Sequence, residues 1–461
     1  MLRSFGLSRE RARVRGPEAG TATTAPYRRS AVRRTAPMLC ACAAAALALG
    51  ASACSSSGGS SGTTSNGKTV ITFANWADAE SNTEPGIDAM IKQYEKLNPN
   101  VTIKQEPISF TDIDHQLLLE VKSGNEPDVA EMEGDYTFDL AATGALEPLG
   151  SYLTGSTKSA YIAHELQLGV VNGTQVAIPW TVGPFALWFN KKVMTAAGLP
   201  AVAPATWAQL LNDAKVIHQK EPKVIVFGTD STSREYGLDQ NWPIMQSFGG
   251  TPFSGNKASA DTTGFQNYLS FMHTVTADGY TPEGQKGGYF RQPAASNQVA
   301  FTVDGPYVKG VVQSVNHETD QQFYANWGVA QLPAGTNGQH YSSPSDHQLV
   351  MFSNTPDKQA AWKFMNWLAT SQYAILNYTI PEEGSIPPLA HPTGKVAAQL
   401  NNPISQAFLS VIPTVTEPSW GNSYGTAYVD VMAAVQQAMT TSTPVSSIAS
   451  GLQSKLSTDV G

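Results

Sequence analysis

Apolar and polar positions follow two alternating periods between residues 70 and 130. Val70-Ile71-Thr72-Phe73 is a short β-branched run and predicts a strand. Ile87, Met90, Ile91, Tyr94 and Leu97 then recur at helical spacing, and Asn98-Pro99-Asn100 stops that helix. Val101-Thr102-Ile103 predicts a second strand. Ile113, Leu117 and Val121 mark a second amphipathic helix, closed by Ser123-Gly124-Asn125, and Pro127-Asp128-Val129 opens a third strand. Strand, helix, strand, helix, strand is the order of a parallel α/β sheet. The alternation restarts later, with strands predicted at Leu187-Trp188-Phe189, Val224–Gly228 and Val299–Val303. Thr206-Trp207-Ala208-Gln209 predicts a capping box opening a helix through Ile217. Pro356 is expected in the first turn of a helix in which Ala361, Phe364, Met365 and Leu368 share a face. With no short internal repeat, two α/β lobes are the economical reading.

In open α/β sheets, ligands bind beyond the carboxyl ends of the strands. The segments predicted there are rich in rings and carboxylates. Asn75, Trp76 and Asp78 follow the first strand, and Glu131, Glu133, Asp135 and Tyr136 follow Val129. Pro179 and Trp180 follow Ile178. Asn241 and Trp242 are read as preceding a helix, Asp304-Gly305-Pro306-Tyr307 follows Val303, and Trp420 and Tyr424 lie near the C-terminus. Aromatic rings stack on the C–H faces of pyranoses, while carboxylates and amides accept sugar hydroxyls. A tryptophan after a strand more often packs a core, and a loop aspartate more often caps a turn. The argument therefore rests on the group. Trp207, Trp362 and Trp367 are assigned to the core.

Composition narrows the field. The 461 residues carry a net charge of −8, with 41% hydrophobic and 14% charged residues, enough for a sizeable core. The negative balance argues against a nucleic-acid partner. Residues 1–53 are different: nine arginines and two glutamates make that segment +7, leaving 20 basic and 35 acidic residues, or −15, in the rest. An apolar run from Met38 to Leu49 and small residues follow the arginines, which is the pattern of an export signal. The signal ends Gly50-Ala51-Ser52-Ala53-Cys54, similar to a bacterial lipobox, so Cys54 is the expected lipid attachment point. Residues 55–67 contain only Ser, Gly, Thr and Asn and read as a tether spanning about 20 Å. Cys40 and Cys42 lie inside the signal, so the body has no thiol for a disulfide, a zinc-thiolate site or a nucleophile.

Other motif matches fail on context. Gly58-Gly59-Ser60-Ser61-Gly62 fits G-x-S-x-G but lies in the tether, without the strand and helix a nucleophile elbow needs. His164-Glu165-Leu166-Gln167-Leu168 lacks the second histidine of a zinc motif, and Asp112-Ile113-Asp114 lacks the glycine of a calcium loop. Ser254-Gly255-Asn256-Lys257 is an isolated S-x-x-K. The eight histidines are scattered and each is read as structural. No metal and no cofactor is expected.

One series is more specific. Ala177-Ile178-Pro179-Trp180 is followed by Leu187-Trp188-Phe189-Asn190-Lys191-Lys192, Ala197-Gly198-Leu199-Pro200 and Pro204-Ala205-Thr206-Trp207. Tyr94–Pro99, Pro127-Asp128-Val129, Gly144-Ala145-Leu146, Asp304–Tyr307 and Ala361–Phe364 support it. In this order the series resembles the maltose-binding-protein-like sugar-binding lipoproteins of bacterial ABC importers, over nearly all of residues 68–461. The resemblance implies the two-lobed periplasmic-binding-protein fold of type II, an α/β architecture with discontinuous lobes joined by hinge crossovers. By analogy the N-terminal lobe is 68–179 plus 336–383 and the C-terminal lobe 180–335 plus 384–461. It implies a non-enzymatic protein that closes on a sugar and delivers it to a membrane permease. The expected ligand contacts are Asn75, Trp76, Asp78, Glu133, Asp135, Trp180, Trp242, Tyr307, Glu383, Ser385 and Trp420. Met132 and Gly183 depart from the maltose binder at an aromatic and an acidic position, which argues against maltodextrin itself. The expected partners are a small-molecule sugar, the permease and the membrane through the lipid on Cys54, with the protein acting as a monomer. Trp242→Ala and Tyr307→Ala are each expected to weaken sugar binding without unfolding the protein.

Two other readings compete. A secreted glycoside hydrolase would need two acids at catalytic separation, for which Glu133 with Asp135 or Asp304 are the candidates. A binding protein for a polyol phosphate, peptide or polyamine would keep the fold. Phosphate is disfavoured because only Arg234 and Arg291 follow residue 67.

Overall fold

Nine strands of four or more residues carry the architecture in a computed structural model that describes residues 67–459 apart from 82, 256 and 418–423. In chain order they are β1 (Thr69–Asn75), β2 (Val101–Pro107), β3 (Val129–Glu133), β4 (Ala177–Thr181), β5 (Ala186–Asn190), β6 (Ile225–Gly228), β7 (Val299–Asp304), β8 (Trp327–Ala330) and β9 (His347–Met351). They form two sheets, ordered β2-β1-β3-β9-β4 and β8-β5-β7-β6. The residues read as an export signal, a lipobox and most of a tether lie outside the described range.

The sheets are mixed, where the pattern predicted parallel pairing. β1 pairs parallel with β2 and β3, but β9 runs antiparallel to β3 and β4. In the second sheet β6 and β7 are parallel, while β5 is antiparallel to β7 and β8. The reason is topological. β5 and β9 are each entered from the junction between the sheets, so they start where their neighbours end: Ala186 pairs with Asp304 and His347 with Glu133.

Side chains alternate across each sheet as strand geometry requires. Ile71, Phe73, Val129, Leu349, Met351, Ile178 and Trp180 bury on one face of the first sheet, and Ala74, Ala130, Met132 and Val350 on the other. In the second sheet Leu187 and Phe189 face one core and Ala186 and Trp188 the other. Burying one such large apolar side chain contributes roughly 1.5–3 kcal/mol.

The helices that bear on the junction are α1 (Glu84–Leu97), α2 (Ile113–Ser123), α3 (Gly134–Ala142), α4 (Ala163–Leu168), α5 (Trp207–Lys220), α6 (Glu235–Ser247), α7 (Val308–Asn316) and α8 (Lys358–Thr370). Capping is close to expectation at α5: Thr206 Oγ1 accepts from Gln209 N at 3.1 Å, but the Gln209 side chain accepts from Ala205 N at 3.0 Å, one residue before the cap. α8 starts two residues beyond Pro356, because the Asp357 side chain accepts from Ala360 N at 3.0 Å and fixes the first turn there. Asn241 and Trp242 lie inside α6 and not in a loop before a helix. Pro243 sits within that helix, and with Gly237 it disguises the helical period.

Three passages of chain connect the sheets side by side. Val182 and Ile386 exchange backbone hydrogen bonds at 2.8 and 2.9 Å, Phe185 N donates to Ser343 O at 3.0 Å, and Ser345 N donates to Gly183 O at 3.2 Å. They lie between Thr181 and Ala186, directly before His347, and at Ile386, so a cleft at this junction is bounded by both sheets.

Candidate functional site

A cleft of about 380 Å³ opens at the junction. Its first wall is built on the end of β1. The buried Asn75 side chain accepts the backbone N–H of Asp78 at 2.7 Å, which turns the chain sharply after the strand. Trp76 and Ala77 donate their backbone N–H groups to Glu131 Oε2 at 3.1 and 3.3 Å. Glu131 therefore fixes the turn that presents Trp76, whose ring meets Phe110 at 5.5 Å and His347 at 4.9 Å, both edge-on.

The second wall comes from the end of β7. Asp304 is fully buried and takes Arg291 Nε and Nη2 at 3.0 and 3.1 Å. Arg291 also lies over the Tyr307 ring, 4.5 Å from its centroid, and donates to Tyr236 Oη at 3.3 Å. The Tyr236 and Tyr307 hydroxyls are 2.5 Å apart. Gly305 permits this fold-back: a Cβ there would meet the Tyr307 ring at 2.4 Å. The crossover Pro381–Gly384 closes the cleft. Gly384 has φ +65°, and a Cβ there would come within 3.1 Å of Tyr307 Cα.

The electrostatics centre on His347. Its Nδ1 is 2.8 Å from Glu131 Oε1 and 4.0 Å from Glu383 Oε2. Burial disfavours the imidazolium, but the hydrogen bond to Glu131 and the charges of Glu383, Glu131 and Glu133 outweigh it and raise the pKa to about 9. Burial pushes Glu131 up to about 7 against the pull of His347. Tyr378 donates to Glu383 Oε1 at 2.5 Å. Glu80 is raised by burial and then by the charge of Glu383, while His347 and Arg291 pull it down. Among the described residues no group of three His, Cys, Asp or Glu side chains could hold a metal ion.

Of the residues expected at the ligand, the structure brings Trp76, Glu133, Tyr307 and Glu383 to the cleft wall. Asn75 and Asp78 shape the turn behind Trp76 and do not line it. Ser385 lines an adjoining cavity of about 200 Å³ that shares Gly310, Pro381 and Gly384 with the cleft. Trp180 lies within β4 and not after it. It is fully buried and stacked on Tyr378 at 5.4 Å and 7°, so it packs the core beneath His347. Trp242 is carried into the second sheet's core by α6 and is 5% exposed. Asp135 lies in the first turn of α3, its side chain outside the described residues, and Trp420 and Cys54 lie outside them altogether.

Sequence reasoning missed Glu80, Phe110, Tyr236, Arg291, Ser345 and His347. Arg291 carried a usable signal, since arginine is so rare in the body. His347 carried none, because its neighbours in space, Glu131 and Glu383, are far from it in sequence. The core assignment holds for the helical tryptophans, with Trp207 and Trp362 at 5% and 8% exposure and Trp367 packed against the same cluster as Trp362. Asp304 is too fully engaged by Arg291 and by the Gly305 N–H, at 2.9 Å, to serve as an acid facing the cleft.

Two sheets joined by three adjacent passages of chain, with a cleft walled by both, define a two-lobed solute-binding protein. The chain belongs to the family of bacterial extracellular solute-binding proteins, which it matches over residues 80–375. A protein of Brucella abortus (strain 2308) described as a binding protein is 23% identical over 362 residues, covering 75% of this chain and 85% of that one. The maltotriose-binding protein of Pyrococcus abyssi (strain GE5 / Orsay) is 23% identical over 344 residues, covering 70% and 67%. Among solved structures, the GacH receptor of Streptomyces glaucescens GLA.O, described unliganded and with acarbose, superposes with a TM-score of 0.72 at 18% identity, covering 85% of this chain and 98% of that one. The family resemblance read from the Ala177–Trp207 series is borne out, and family membership places the protein outside the cytoplasm.

Proposed function

We propose that this protein captures a saccharide in the cleft by closure of two lobes, 68–179 plus 336–383 and 180–335 plus 384–461, and passes it to the permease of an ABC importer. The observation that carries the reading is the meeting of rings and acids from both sheets: Trp76, Phe110 and Glu133 from one side, Tyr236 and Tyr307 from the other. Rings accept the apolar faces of a pyranose and the acids its hydroxyls. The maltotriose-binding relative and the acarbose-bound neighbour support a sugar. The lipobox-like Ala51-Ser52-Ala53-Cys54 and the Ser/Gly tether support export, cleavage and a lipid on Cys54 that holds a monomeric body on the membrane. Among the described residues no helix is long and apolar enough to cross a membrane.

Thermal-shift screening of residues 68–461 against mono- and oligosaccharides, polyols and peptides tests the binding reading. A ligand of the native state raises the melting temperature with its excess over Kd. A shift with a saccharide and no product formed is the expected result. A shift with peptides alone would overturn the sugar assignment, and consumption of the added oligosaccharide would point to a hydrolase.

A further inference from the structure

The saccharide reading leaves open what kind of sugar the cleft prefers, and its charges bear on that. Four carboxylate side chains line it: Glu80, Glu133, Glu382 and Glu383. The two basic residues among the lining are Arg291 and His347. Both already have an acidic partner behind the wall. Arg291 forms a two-pronged pair with the buried Asp304, and His347 is 2.8 Å from the buried Glu131. Neither Asp304 nor Glu131 lines the cleft, and Glu383 also accepts from Tyr378 and lies 4.0 Å from His347. Even with Asp304 set against Arg291 and the charge of His347 shared by Glu131 and Glu383, carboxyls outnumber cations around the cleft.

A group of acids alone would define no site. Here they share a cleft with four aromatic side chains, Trp76, Phe110, Tyr236 and Tyr307, contributed by both sheets. The groups also sense one another across the opening. Glu80 is raised first by burial and then by the charge of Glu383, and lowered by His347 and Arg291, and all four line the one cleft, so residues from α1's approach, the crossover and the second wall converge on one space. Rings call for a cyclic ligand with apolar faces, and surplus negative charge in a partly desolvated cleft favours a cation. A uronic acid or sugar phosphate would meet the acids with no uncommitted cation to bind it.

We propose that the preferred ligand is an amine-bearing saccharide, protonated when bound, with its ammonium group held among Glu80, Glu382 and Glu383. This rests on the cleft being the saccharide site. The ammonium would supply the positive charge that the wall lacks, while the pyranose faces use the same rings as a neutral sugar would.

The test compares three disaccharides of one skeleton by calorimetry at about pH 6, where a sugar amine is protonated: chitobiose with free amines, its diacetylated form, and cellobiose. The free amine should bind at least about tenfold tighter than the other two, a difference of about 1.4 kcal/mol. That preference should shrink in about 0.5 M salt, which screens exposed charges. It should also shrink in Glu382→Gln, an exposed position that folding should tolerate, and in Glu80→Gln, with unchanged melting temperatures of the ligand-free variants as the control. Equal affinity for the amine and its acetylated form would overturn the inference and leave the saccharide reading standing. Binding by none of the three, with a peptide from the wider screen binding instead, would overturn both.

Discussion

At the scale of single residues, burial separates the two aromatics that the sequence treated alike. Trp242 fills the second sheet's core, so Trp242→Ala should cost about 3–5 kcal/mol of stability. Tyr307 lines the cleft, so Tyr307→Ala should weaken saccharide binding at least tenfold while the melting temperature moves little. Denaturant unfolding and calorimetry on both variants check the pair, and the converse pattern would reverse the assignments. A second residue-scale prediction concerns Glu165 on α4, which faces Asp346, the residue directly before β9, whose Oδ1 accepts the Gly183 N–H at 2.7 Å. Both carboxyls are buried, at 1% and 3% exposure. Burial first, then the charge of Asp346 and more distantly of Glu417, holds the Glu165 pKa well above the ordinary value, while His164 and His347 act on the Asp346 side. The folded state therefore keeps a proton that the unfolded chain releases. Stability from this group is complete below about pH 4.5 and is lost as pH rises through the folded value. Glu165→Gln keeps the shape of the side chain but no longer titrates, so its gain over wild type should grow by up to about 1.4 kcal/mol per pH unit above 4.5. Melting curves from pH 4 to 8 that stay parallel for the two proteins would sink this account.

At the scale of elements, the first βαβαβ run was legible because its two periods are clean, and β1, α1, β2, α2 and β3 all stand where Val70, Ile87, Val101, Ile113 and Val129 placed them. α6 was not legible, since Gly237 and Pro243 break its apparent period while every residue from Gly237 to Met245 is buried, leaving no polar face to read. β4 misled in a related way. Pro179 reads as a strand stop, yet β4 is an edge strand whose outer side tolerates a residue without an N–H. That single misreading moved Trp180 from the core to the expected ligand list. The cleft was legible from one strand end at a time, through Trp76, Glu133 and Tyr307. His347 was hidden because its chemistry is created by β9 pairing with β3, a contact across more than 200 residues. The Asp304–Tyr307 turn is also an element-scale device. Gly305 has room for no Cβ beside the Tyr307 ring, so Gly305→Ala should swing that ring away from Arg291 and Tyr236. Saccharide affinity should fall as far as in Tyr307→Ala, with no further loss when the two changes are combined. Additive losses would show that Gly305 acts elsewhere.

For the whole molecule, the cleft's usefulness depends on both sheets touching one ligand. A ligand bound equally well by open and closed forms shifts nothing, and moving a 1:99 equilibrium to 99:1 requires about 5.5 kcal/mol of differential affinity. The three passages that join the sheets are held by a handful of backbone hydrogen bonds, such as the Val182–Ile386 pair, while each sheet is locked by large aromatic and aliphatic cores on both faces. Bending is therefore easiest at the passages. On the first wall Trp76 is braced by Glu131 and Phe110, and on the second Tyr307 is braced by Arg291. Bracing before the ligand arrives means that little side-chain freedom is lost on binding, so contact energy remains to drive closure. If closure is driven this way, removing one wall should uncouple binding from compaction. Small-angle scattering with saturating saccharide should show a smaller radius of gyration for the wild type and little or no change for Tyr307→Ala, although calorimetry still detects weakened binding through the Trp76 wall. Full compaction of Tyr307→Ala at saturation would mean that the second wall adds affinity without driving closure, and the force for bending would then have to come from the crossover Pro381–Gly384 itself.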